Sequence, residues 1–117
     1  MQRLLISMAF LGSAIAPAQA QSDLRFLKDA PISQFKKADT DLLAKALNQA
    51  LEHSPDGVPV KWENPSANNS GSITPSKDLK NRSGCRKVHV ENRHQALTSE
   101  TSVVFCKIDG KWMVPGD

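Results

Sequence analysis

The chain has 117 residues, two cysteines, a charged fraction of 23% and a formal net charge of +3. That length is one domain. A charge this mild, spread along the chain, argues against nucleic acid, which selects a concentrated basic patch. There is no glycine-rich phosphate loop, no Gly-x-Ser-x-Gly turn and no pair of carboxylates at a defined spacing, so no motif carries catalysis.

The N-terminus reads as an export signal over residues 1–20. Met1-Gln2-Arg3 supplies a positive charge, Leu4 to Ala16 are almost wholly apolar, and Ala18-Gln19-Ala20 is a small-residue cleavage site. The apolar run is too short for a comfortable membrane span. No cysteine stands at the cleavage point, so no lipid-anchor cysteine is expected. Cleavage leaves Gln21–Asp117, with 14 basic against 12 acidic residues. Residues 21–38 are a polar segment in which Pro31 to Lys37 can form a short helix, with proline in the first turn.

The clearest helix covers Asp39 to His53. Leu42, Leu43, Ala46, Leu47, Ala50 and Leu51 recur at helical spacing and define an amphipathic face. Asp39 or Thr40 is placed to cap its start, and Ser54-Pro55-Asp56-Gly57 ends it. The face opposite the leucines is not rich in lysine and arginine, so the helix reads as core packing rather than as a membrane-surface element. Val58, Val60 and Trp62 then alternate with polar partners, a strand that Pro59 assigns to a sheet edge or a strand start. Asn64 to Gly71 is a turn-rich loop. Ser72-Ile73-Thr74 is expected as a short strand stopped by Pro75, followed by a polar stretch from Ser76 to Gly84.

Cys85 to Trp112 can be tested by register. If Cys85 faces Cys106 on antiparallel strands, Val88 falls opposite Val103, Val90 opposite Thr101 and Arg86 opposite Phe105. Side chains alternate faces, so Val88, Val90, Val103 and Phe105 share one face and the cysteines the other. Asp109-Gly110 suits a two-residue hairpin turn, which needs positive φ at both positions. It pairs Ile108 with Lys111, Lys107 with Trp112 and Phe105 with Val114. Trp112 and Val114 then join the face of Phe105. Two constraints agree on one apolar face, with a diagonal or bulged cysteine pairing still open.

In an exported chain two cysteines are expected to form a disulfide. For a loop of about 22 residues, chain entropy gives ~3 kcal/mol of stabilisation. A zinc site and a thiol nucleophile compete with that reading, but Cys85 and Cys106 make only half a zinc site. His89, four residues after Cys85, supports a dyad weakly. His89, Glu91 and His94 form a second candidate, a surface metal patch, with His89 and Glu91 on one strand face. Trp62 and Trp112 both read as core residues.

From the helix onward the chain resembles the C-terminal domain of the rickettsial seventeen-kilodalton surface antigen and its proteobacterial relatives. The resemblance rests on Ala46-Leu47, Ala50-Leu51-Glu52, Pro55-Asp56-Gly57, Trp62-Glu63-Asn64-Pro65, Gly71, Ile73-Thr74-Pro75, Cys85-Arg86 and Cys106, ending in Asp109-Gly110-Lys111-Trp112. It covers residues 39 to 114. It implies a cell-envelope protein, often a surface-exposed outer-membrane lipoprotein, with no established enzymatic activity and no catalytic residues to transfer. The family's type member carries a lipidated cysteine and a glycine-rich segment, and this chain shows neither.

The expectation is therefore an α+β domain over residues 39–117: one main helix on an antiparallel sheet of four to five strands, stapled by Cys85–Cys106. Its core should hold Leu43, Leu47, Leu51, Val60, Val88, Val103, Phe105, Trp112 and Val114. The expected role is structural or binding, in the periplasm or cell envelope, with no cofactor and with an unknown envelope component or protein as partner. A soluble periplasmic binding or inhibitor module is the alternative, and a small metal-dependent protein using His89, Glu91 and His94 a second.

Overall fold

A computed structural model of the chain describes residues 31–116; the expected signal over residues 1–20 lies outside the described residues. One helix packs on a five-stranded antiparallel sheet. A single 3-10 turn, Ile32–Gln34, leads into α1, Lys37–His53. The strands are β1 (Val60–Asn64), β2 (Asn69–Lys77), β3 (Cys85–His94), β4 (Leu97–Ile108) and β5 (Lys111–Met113). Their spatial order is their chain order, so every strand pairs with its sequence neighbour.

The register inferred from the cysteines holds. Cys85 lies opposite Cys106, Arg86 opposite Phe105, Val88 opposite Val103 and Val90 opposite Thr101, with no bulge between. Asp109 and Gly110 have φ of 53° and 79°, and the turn pairs Ile108 with Lys111 and Lys107 with Trp112. β5 stops at Met113, however. Val114 never pairs with Phe105 and is 40% exposed, so it leaves the expected core.

The core comprises Leu43, Ala46, Leu47, Ala50 and Leu51 of α1 against Trp62, Ile73, Val88, Val90, Phe105 and Trp112. α1 lies over β1 and β2 and reaches β3. Val60 and Val103, expected inside, are only partly buried against this cluster. Phe35 meets Trp62 edge-on, ring centroids 5.3 Å apart. The Trp62 indole in turn lies on Gly71. A Cβ there would sit 2.4 Å from Trp62 Nε1 and 2.8 Å from the Glu91 carbonyl, so only a bare Cα fits.

Three local expectations are corrected. The first strand begins at Val60, leaving Val58 outside it and 48% exposed. The loop expected from Asn64 to Gly71 shrinks to a 3-10 turn, Pro65–Ala67, and a left-handed Asn68. The strand expected to stop at Pro75 instead runs nine residues straight through it. The reason is geometric. The Pro75 carbonyl accepts from the Gly57 N–H on the β1 side. In a strand a residue's nitrogen and carbonyl point the same way, so the missing N–H faces past the end of β1. No bond to β3 is lost.

Candidate functional site

Both ends of α1 are held by side chains reaching from the sheet. At the N-terminal end Asp39 is buried, 1% exposed. It is not the cap expected of it but lies inside the first turn. Its Oδ2 accepts from the Lys36 N–H at 2.8 Å and from Asn69 Nδ2 at 2.9 Å, while Oδ1 accepts from Asn64 Nδ2 at 2.8 Å. Burial pushes this carboxyl up. The Lys36 amide, the two asparagines and the charge of His94 outweigh it and hold the carboxyl below its ordinary value. A helix N-terminus favours negative charge in the same sense. Asn69 Oδ1 also meets His94 Nδ1 at 2.5 Å.

At the C-terminal end Arg86 does the complementary work. Its Nη1 donates to the carbonyls of Ala50, Leu51 and Ser54 at 3.0, 3.1 and 2.9 Å, and Nη2 pairs with Asp56. The last carbonyls of a helix lack internal partners, and a cation there meets both their lone pairs and the dipole. A planar guanidinium serves several acceptors at once. Arg86 follows Cys85 directly, so the bonded Cys85–Cys106 pair anchors the strand position from which it reaches. Nearby, Glu52 of α1 accepts from Trp112 Nε1 at 2.7 Å and pairs with Lys107 at 2.6 Å. Those two bonds, against the opposing effect of burial, hold its carboxyl low.

Asp78 organises the β2–β3 connection. It accepts from the Lys80 and Arg82 backbone amides and from Arg82 Nε and Nη2. The Arg82 guanidinium beside it holds its carboxyl well below the usual range.

The face of the sheet away from α1 carries Cys85, Lys87, His89, Glu91 and Arg93 of β3 beside Glu100, Ser102 and Val104 of β4. A shallow depression of about 200 Å³ is lined by Lys61, Glu63, Ser70, Ser72, Glu91 and Arg93. The three residues of the proposed metal patch do not converge. His89 and Glu91 stand on this face, but His94 points to the helix side, where it meets Asn69. Among the described residues no group of three or more His, Cys, Asp or Glu is placed to hold a metal. Instead His89 reaches Ser102 Oγ with Nδ1 at 3.1 Å and Glu100 with Nε2 at 2.8 Å. A hydroxyl, an imidazole and a carboxylate in line are the parts of a nucleophile–base–acid relay. Their setting does not match that use. The His89 and Glu100 side chains are 46% and 60% exposed, and such work needs a shielded site.

Sequence reasoning located the cysteines and their pairing. It missed Arg86, Asn64 and Asn69. Their partners lie 25 to 36 residues away, and no local pattern marks an arginine that will cap a distant helix.

Fold and geometry together define a small α+β domain closed by one disulfide, with polar networks at both ends of the helix fixing it to the sheet. Among the described residues no helix is long and apolar enough to cross a membrane. Comparison with known proteins agrees with the motif resemblance. The chain is 39% identical over 79 residues to the 17 kDa surface antigen of Rickettsia prowazekii (strain Madrid E), covering 65% of this chain and 50% of that protein. It is 43% identical over 51 residues to the 17 kDa surface antigen of Rickettsia bellii (strain RML369-C), covering 42% and 32%. Over the shared segment the chain is similar to the 17 kDa surface antigens; it spans a third to a half of the length of these relatives. No family model matches it, and no solved structure does.

Proposed function

We propose that this chain is an exported cell-envelope protein of the surface-antigen kind, with a structural or binding role and no catalysis of its own. The similarity to the rickettsial surface antigens carries this reading. Two further features support it. The first 20 residues have the three-part layout of a secretory signal, and a disulfide is the chemistry of an oxidising compartment. The exposed charged face of the sheet is the natural contact surface for an envelope partner.

Intact mass tests the proposal directly. Native protein is taken from fractionated cells and alkylated without reduction. The envelope or periplasmic fraction should yield Gln21–Asp117, two hydrogens lighter than the dithiol and free of alkyl groups. A full-length, doubly alkylated protein in the cytoplasm overturns it.

A further inference from the structure

The two edges of the sheet are not alike. β1 is short, follows Pro59, and presents outward only the backbone of Lys61 and Glu63, since Val60, Trp62 and Asn64 bond to β2. Short length, proline and lysine are the devices that keep a sheet edge from pairing. β4 is much longer and has neither proline nor lysine between Thr98 and Val104. It runs twelve residues, but β5 covers only Cys106 to Ile108. Among the described residues no strand pairs with the outer side of the stretch from Thr98 to Val104, which reads Thr-Ser-Glu-Thr-Ser-Val-Val, rich in strand formers.

The phase of the ladder says which groups are open. The Lys107 N–H donates to the Gly84 carbonyl, so Lys107 is in a hydrogen-bonded pair with the β3 side. Alternation along β4 then puts Leu97, Ser99, Thr101, Val103 and Phe105 in bonded pairs with β3. Thr98, Glu100, Ser102 and Val104 direct their N–H and C=O groups away from the sheet. Thr98, Glu100 and Ser102 are exposed and Val104 half-buried.

We propose that this edge pairs with the same edge of a second copy, antiparallel, about a two-fold axis at Thr101. That register places Thr98 opposite Val104 and Glu100 opposite Ser102, so each outward N–H and C=O of one copy meets one of the other. The neighbouring registers fail. An axis at Glu100 sets two carboxylates face to face, which destabilises a strand pair. An axis at Ser102 drives Thr98 against Cys106, whose outer backbone already bonds β5. An axis at Ser99 leaves Ser102 and Val104 without strand partners. A closed two-fold interface also removes the open edge from both copies. The two sheets join into one of ten strands.

Sedimentation of the full exported chain, disulfide intact, over a concentration series tests this. A monomer–dimer equilibrium is expected. Ser102→Pro removes an outward N–H without removing a bond to β3 and should weaken the dimer at least about tenfold. Thr101→Cys places two thiols at the axis in a non-bonded pair and should cross-link the dimer under mild oxidation. Thr98→Cys should not, because the two copies of that residue would stand about 20 Å apart. A chain that stays monomeric throughout overturns the proposal. So does a dimer indifferent to Ser102→Pro, or equal cross-linking at residues 98 and 101.

Discussion

The two ends of α1 are fastened by opposite charges under opposite conditions. At the N-terminal end an anion, Asp39, is fully buried and held by neutral donors. At the C-terminal end a cation, Arg86, is partly exposed and shared between helix carbonyls and the Asp56 counter-ion. Both charges match the dipole. The difference is what each end leaves behind when broken. Removing Asp39 strands the buried Asn69 amide and the half-buried Asn64 amide. Removing Arg86 leaves three carbonyls without their donor beside a partly exposed ion pair.

That difference can be broken in order of expected size. Asp39→Ala should cost most, about 3–5 kcal/mol by chemical denaturation, because the buried Asn69 amide and the half-buried Asn64 amide both lose their acceptor. A cost below that of the Arg86 variant would reverse the comparison. Arg86→Met, which keeps most of the aliphatic stem, should cost about 2–3 kcal/mol. Arg86→Lys should recover only part of it, since an ammonium cannot fork between carbonyls and a carboxylate.

Acid sharpens the contrast. Asp39, Glu52 and Asp78 all have folded-state carboxyls held below their ordinary values. Their stabilisation is therefore complete above the unfolded carboxyl value of about 4. It is lost as pH falls through the lower folded values. The melting temperature should drop below about pH 4, and Asp39→Asn should flatten that slope without abolishing it, because Glu52 and Asp78 still titrate. The smallest effect is expected on the outer face. His89→Ala breaks the bonds to Ser102 and Glu100, yet should shift stability by under ~0.5 kcal/mol, because exposed pairs contribute little.

Where the sequence is legible, the signal is short-ranged and repeats. The β3–β4 register follows from two cysteines and period-two valines, and the last hairpin from Asp109-Gly110. The helix is read to within two residues of its start, Lys37 rather than Asp39. β2 hides because Asn69, Ser70, Gly71 and Ser72 show no apolar alternation, and Pro75 suggests a stop that its position past the end of β1 removes. Val114 misleads because a register can be extrapolated beyond the point where a strand ends. The fastening of α1 is unreadable for another reason. Asp39 reads only as a local helix cap and Arg86 as an ordinary strand residue until the fold brings Asn64, Asn69 and the end of the helix to them.

The strand order also has a consequence for the chain as it is made. Every strand pairs with its neighbour in sequence, so the sheet can assemble hairpin by hairpin, each step closing a short loop. The helix cannot share that schedule. In synthesis from the N-terminus it emerges first, with Leu43, Leu47 and Leu51 uncovered until β1, β2 and β3 exist. For that interval the newborn chain is greasy on one side, and whatever escorts it must shield three leucines before there is a sheet to receive them.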